Sequence, residues 1–167
     1  MALLDTSVWT GKIYVNGWRD GRGGTEDVTN PSTDETLGQI GFASPEDVYE
    51  AAEKAAAAQK EWAALKPSER AAVLRRAGLL FEEHVEEVMD WVVRETGAIP
   101  PKAGLEASVA AAECYEASAL PTHPHGEYLP SDAPHWSLSR RVPAGVVTVI
   151  SPFNFPLILS IRSVAPA

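Results

Sequence analysis

Arg141-Val142-Pro143-Ala144-Gly145-Val146-Val147-Thr148-Val149-Ile150-Ser151-Pro152-Phe153-Asn154-Phe155-Pro156 is the stretch on which the fold of this chain turns. Val146 to Ile150 is a short, mostly β-branched run closed by Ser-Pro, and from Val142 to Ala167 the one charged side chain is Arg162. Such a run predicts a strand buried on both faces, as in a parallel sheet flanked by helices. Pro156 to Ala165 is apolar enough to be a covered helix. Strand and helix together make one βα unit, and the fold class is α/β. A parallel sheet needs more of both, since each parallel neighbour requires a crossover connection. Inside the run sits one side-chain amide, Asn154, with two readings. It caps the helix that follows, or its N–H₂ points into a pocket at the C-terminal end of the strand. α/β proteins place ligands there, and a preorganised neutral donor suits a developing oxyanion.

Working outward, Trp136 to Val142 alternates as a half-exposed strand should. Pro121 to Pro134 holds four prolines with His123 and His125 and no helical period, and is a connector. Lys102 to about Leu120 predicts an alanine-rich helix with Leu105, Ala112 and Ala119 inward, its small side chains allowing close packing. Leu74, Ala77, Phe81, Val85, Val88 and Val92 recur at spacings of three and four. They predict one long helix, or two with a break near His84, stopping at Thr96-Gly97 with Pro100-Pro101 beyond. Ser44-Pro45-Glu46-Asp47 is the clearest helix start, with a capping serine, a proline in the first turn and two acids at the positive helix end. Val48, Ala52, Ala55, Trp62 and Leu65 make its apolar stripe, and Lys66-Pro67 ends it. Before it, Lys12 to Trp18 alternates around an Asn16-Gly17 turn signal, as in a β-hairpin. Glu26–Thr29 and Thr36–Phe42 read as a second pair of short strands around the turn cluster Asn30–Glu35.

Composition narrows the function. The 167 residues suffice for one domain with a sizeable core, and 45% hydrophobic with 22% charged residues is ordinary for a globular chain. Fourteen basic against 23 acidic residues give a net charge of -9, which repels phosphate backbones and anionic lipid and argues against nucleic-acid binding. No apolar run approaches the roughly 20 residues that span a bilayer. Met1 to Asp5 lacks the basic start and apolar core of a signal peptide, so a cytoplasmic location with no membrane partner is expected. The single cysteine, Cys114, rules out an internal disulfide and fits a reducing compartment.

Few side chains compete with Asn154. Cys114 falls inside a predicted helix without an adjacent histidine, a place for packing rather than for a nucleophile. His123, His125 and His135 lie in a loop without regular metal-ligand spacing, and no metal site is expected. Gly21-x-Gly23-x-x-Glu26 misses the last glycine of a dinucleotide fingerprint and lacks its strand-to-helix context. Acidic pairs such as Glu82-Glu83 and Glu86-Glu87 read as solvated helix faces.

Arg141-x-Pro-x-Gly-Val-Val-x-x-Ile-x-Pro-Phe-Asn-Phe-Pro closely resembles the stretch of NAD(P)-dependent aldehyde dehydrogenases that enters the cofactor domain and carries their motif asparagine. Upstream pieces agree in order: Tyr14-Val15-Asn16-Gly17-Trp18, Val28-Thr29-Asn30-Pro31, the helix holding Ala51 to Trp62, Glu69-Arg70, and Glu95-Thr96-Gly97. The likeness runs from about Lys12 to Ala167. The form Phe-Asn-Phe-Pro followed by Leu-Ile-Leu-Ser-Ile-Arg-Ser resembles the benzaldehyde and vanillin dehydrogenase branch.

The resemblance implies the N-terminal part of the aldehyde dehydrogenase fold, incomplete, with β-hairpins and helices leading into the first βα unit of a Rossmann-like domain. Residues 1–122 are then the β-hairpin and helical part of the cofactor domain, 123–141 a connector and oligomerisation strand, and 142–167 the first strand and helix of the cofactor-binding sheet. It implies oxidation of an aldehyde, aromatic by the branch, to the carboxylic acid with NAD or NADP through a cysteine thiohemiacetal. The asparagine matching Asn154 then stabilises the oxyanion, and Ile150, Ser151, Pro152 and Phe153 line the nucleotide cleft. Phe153 stands where many members have tryptophan. Homo-oligomerisation through the ribbon from about His125 to Val142 is implied as well. Family members run to several hundred residues, and the nucleophilic cysteine and general-base glutamate match nothing before Ala167. The chain alone is expected to be inactive. Two rival expectations are an interaction module pairing through the Trp136–Val142 edge with a full-length relative, and a non-functional fragment whose apolar Val142–Ala167 tail favours aggregation.

Overall fold

Lys12–Tyr14 (β1) and Trp18–Asp20 (β2) pair antiparallel with Ile13 opposite Arg19. Asn16 at φ 56° and Gly17 at φ 141° supply the positive φ that so tight a hairpin requires. Thr25–Thr29 (β3) and Thr36–Gly41 (β4) form the second hairpin, and the Asn30 side chain accepts from the Ser32 amide to tighten its turn. Both hairpins follow the sequence expectation. The structure, a computed structural model, describes residues 3–167. Met1 and Ala2, the first residues of the start that lacks signal-peptide character, lie outside the described residues. A short helix, Thr6–Trp9 (α1), is tied down where the Leu3 and Leu4 amides donate to the Glu87 carboxylate at 2.9 and 2.7 Å. Glu87 is thus no solvated surface acid. Backbone N–H groups, Leu4 first, hold its pKa below the usual glutamate value.

Pro45–Ala64 (α2) starts as predicted, with a reciprocal capping box between Ser44 and Asp47. Its inward face differs from the expectation. Val48, Ala52, Trp62 and Leu65 are exposed, whereas Asp47 is fully buried and Ala51 and Ala55 are partly covered. The reason is charge. Asp47 receives Arg19 at 2.9 Å, Arg22 at 2.7 Å and the Arg22 amide at 2.8 Å, with Glu50 bridging the same two guanidinium groups. This polar anchor, rather than the apolar stripe, sets the rotation of the helix.

Pro67–Glu83 (α3) and Val85–Thr96 (α4) are two helices broken at His84, and Gly97 at φ 69° closes α4 in the left-handed conformation. Pro100–Ala119 (α5) begins two residues earlier than expected, with prolines in its first turn, and continues as a 3-10 turn, Leu120–Thr122. Leu105 and Ala112 face solvent, contrary to expectation. The buried stripe is Ala103, Ala107, Ala110, Ala111, Cys114 and Ala117, because only small side chains let α5 approach its neighbours closely. Gly78 on α3 admits the Tyr115 ring, where an added Cβ would meet Cε1 at 2.6 Å, and Tyr115 donates to Glu82 at 2.8 Å.

Gly126–Leu129 (β5) and Ser137–Arg140 (β6) form a third antiparallel hairpin, exposed along nearly its whole length. Beyond it, the expected strand Val146–Ile150 is a correction. Residues 141–150 carry no ladder, and Val146, Val147 and Ile150 are uncovered. A strand made to be buried on both faces needs a strand on each side and helices above and below. Among the described residues the sheets are three separate hairpins, and none lies beside it. The helix of the expected βα unit does form, at Pro156–Val164 (α6). It packs on α5, where Ala165 joins Cys114 and Ala117 in a buried cluster that Ile161 and, from α3, Leu74 and Phe81 cover. No helix among the described residues is long and apolar enough to cross a membrane.

Candidate functional site

Asn154 lies between the uncovered extended stretch and the first turn of α6. Pro156 opens the helix, where its missing N–H costs nothing. Phe155 is the N-cap residue, at φ -141° and ψ 63°, and its side chain makes no cap bond. The amides of Leu157 and Ile158 donate instead to Oε2 of Glu106 on α5, at 3.0 and 3.4 Å. Glu106 is 0% exposed and pairs with Lys102 one turn earlier on α5. The Lys102 ammonium stands 4.6 Å from the centroid of the Phe155 ring, a cation–π contact. Arg162 at the far end of α6 bonds Glu113 of α5 at 2.8 Å. Two polar ties and an apolar seam therefore fix α6 on α5, and the carboxylate sits where the helix dipole favours negative charge.

The capping reading of Asn154 is overturned by this geometry, because Glu106 occupies the amides that Asn154 would have capped. The Asn154 side chain is exposed and has no hydrogen-bond partner among the described residues. Ser151 is held more firmly. The Ser160 hydroxyl donates to the Pro156 carbonyl at 2.7 Å, so the 2.7 Å contact between the two serines has Ser151 as donor. Pro152 is exposed, and Ile150 and Phe153 are each 90% exposed. Ile150 and Phe153 offer apolar surface to a planar ring laid along the segment. Negative phosphate finds no such welcome at α6, whose first amides already belong to a carboxylate. The residues present therefore fit the non-phosphate part of a dinucleotide, and a pyrophosphate must be held by other groups.

The remaining candidates resolve into structure. Cys114 is 2% exposed in the seam between α5, α3 and α6, and burial, then the nearby Glu113 carboxylate, pushes its thiol pKa up. It is a packing residue, as its place in the sequence predicted. His125 contacts the Pro121 carbonyl at 3.2 Å and His135 the Ser131 hydroxyl at 3.2 Å. Glu106 was the residue not singled out in the sequence. A signal existed, since it falls on the same helical face as Ala103, Ala107 and Ala110, an acid on a stripe of alanines with Lys102 four residues before it.

Three hairpins and a helical layer whose last helix follows an asparagine-bearing turn define a class of protein, and the sequence profile of the aldehyde dehydrogenase family matches residues 18–167. The chain belongs to the aldehyde dehydrogenase family. It is similar to the vanillin dehydrogenase of an Amycolatopsis species, 58% identical over 167 residues, which are 100% of this chain and 34% of that one. The NAD(+)-dependent benzaldehyde dehydrogenase of Pseudomonas putida is 47% identical over 161 residues, 96% of this chain and 33% of its own. Among solved structures, the NAD-dependent benzaldehyde dehydrogenase of Corynebacterium glutamicum superposes with a TM-score of 0.89 at 39% identity, over 99% of this chain and 36% of that one. The chain thus spans about a third of the length of these relatives, and its fold is the N-terminal part of theirs.

Proposed function

We propose that residues 1–167 are the N-terminal, cofactor-side part of a dehydrogenase that oxidises an aromatic aldehyde to its carboxylic acid. The observation that carries this is the free amide of Asn154, two residues before a helix whose own caps are supplied by Glu106. NAD or NADP, when bound, supplies the hydride acceptor. This chain's residues hold the site around it. Ile150 and Phe153 give apolar surface, Ser151 is pinned by Ser160, and Asn154 presents a neutral N–H₂ donor to the oxygen that gains charge when a nucleophile adds to the aldehyde carbon. The donor needs no proton exchange to do so, and its effect is largest where water is excluded. The aromatic class rests on the vanillin and benzaldehyde dehydrogenases among the relatives. A cytoplasmic location goes with this reading, since the one cysteine is a free buried thiol suited to a reducing compartment.

The test is a full-length enzyme in which residues 1–167 replace the matching 34% of the Amycolatopsis relative. We expect vanillin- or benzaldehyde-dependent reduction of NAD or NADP, with Asn154→Ala lowering kcat by roughly 10²-fold, as loss of one oxyanion donor does. An unchanged kcat in that variant refutes the role given to Asn154. A second reading is favoured by the uncovered β5–β6 hairpin, where Trp136 is 80% exposed and Tyr128 and Leu138 are open. It is an edge fit for pairing with another copy. In the dehydrogenase this surface joins subunits. In a chain acting by itself it is an interaction module, and a grafted enzyme that forms no NADH would favour that alternative.

A further inference from the structure

Glu106 has no role in the reading above beyond its place in the fold, yet it holds the first turn of the helix that follows Asn154. We propose that Glu106, set by Lys102, is the positioning residue for the Asn154 amide. This rests on the oxyanion reading of Asn154. Three observations support it. Glu106 is 0% exposed, so its carboxylate is held by partners rather than by water. Its Oε2 accepts from both Leu157 and Ile158, at 3.0 and 3.4 Å, across a separation of about fifty residues. Its partner Lys102 reaches over the ring of Phe155, the neighbour of Asn154. From Val142 to Phe153 the backbone has no ladder, and among the described residues the side-chain hydrogen bond that ties this stretch is Ser151–Ser160. The start of α6 is therefore the rigid body from which the asparagine projects, and Glu106 fastens that start to α5. A small displacement of an oxyanion donor weakens it steeply, because hydrogen-bond strength depends on both distance and angle.

The experiment uses the grafted full-length dehydrogenase and a double-mutant cycle of Glu106→Gln with Asn154→Ala, with Glu106→Ala as a second removal of the carboxylate. Glutamine keeps the shape and one acceptor but loses the charge and the pairing with Lys102, so the variant is expected to fold. Expected results are a fall in kcat of about tenfold for Glu106→Gln, with KM for aldehyde and for NAD within about threefold. In the Asn154→Ala background the same change is expected to cost less than about twofold, since a residue acting through Asn154 has nothing left to position. Unchanged kcat in Glu106→Gln overturns the proposal. So do losses that multiply in the double variant, which would make Glu106 a general stabiliser of the fold. If Asn154→Ala alone keeps full kcat, the oxyanion reading and this proposal fail together. Failure of the cycle after a normal loss in Asn154→Ala sinks the positioning role alone.

Discussion

Cys114 illustrates how environment decides what a side chain does. A thiol serves as nucleophile in its ionised form, and the seam of α3, α5 and α6 opposes ionisation twice, through desolvation and through the Glu113 carboxylate. We expect a maleimide or iodoacetamide reagent at neutral pH to leave Cys114 unlabelled in the native chain and to label it fully in denaturant, read by intact mass. Fast native labelling would contradict the burial. Asn154 is the opposite case, an exposed amide with no competing partner. Its environment leaves the donor free among the described residues, which is what the proposed oxyanion role requires and what a capping role would not.

Helix starts carry the next level of organisation, and carboxylates serve several of them. Asp47 closes a reciprocal box with Ser44 at α2, Glu87 receives the amides that lead into α1, and Glu106 receives those of α6. The Ser44 cap is local, and Ser44→Ala is expected to lower stability by about 1 kcal/mol in denaturant titration, the usual cost of losing one cap hydroxyl. Asp47 couples α2 to the loop after β2 as well. Its pKa is lowered from the ordinary 3.8, chiefly by the Ser44 amide and then, against desolvation, by the Arg22 amide and both arginines. A depressed native pKa means that the unfolded chain binds the proton first. The stabilisation is therefore complete above the ordinary value and is lost as pH falls below it through the native value. Asp47→Asn is expected to unfold at lower temperature at neutral pH and to show a flatter loss of Tm below about pH 4 than the parent. An equally steep acid limb in both would remove Asp47 from that role.

Across the whole molecule the surface is unbalanced. The helical layer of α3, α4, α5 and α6 has a core, whereas the β5–β6 hairpin and residues 142–153 carry Trp136, Leu138, Val142, Val147, Ile150 and Phe153 into solvent. Apolar area of this extent, joined to an unpaired strand edge, favours association. Size-exclusion chromatography with light scattering is expected to give the isolated chain a mass well above its 17.9 kDa. A stable monomer would show that these faces need no cover. In the grafted dehydrogenase the same faces are expected to become protected from amide exchange, the hairpin by a neighbouring subunit and residues 146–150 by further strands.

What could be read from the amino-acid sequence was the chemistry that acts over a few residues. The Asn16-Gly17 turn, the Ser44 start, the His84 break and the Gly97 stop each follow from local backbone preference, and the spaced apolar residues of α3 and α4 found their own core. The family followed from the ordered motif at 141–156. Facing directions were another matter. The rotation of α2 was decided by Arg19 and Arg22, which reach Asp47 from a separate hairpin, and the stripe of α5 by the need for close helix approach. The Val146–Ile150 pattern describes a strand that only neighbouring strands can complete, and these residues do not supply them. The cap of α6 lay beyond local inference for the same reason. Glu106 and Leu157 are fifty-one residues apart in sequence, and only the packing of α6 against α5 brings a buried carboxylate to the helix that follows Asn154.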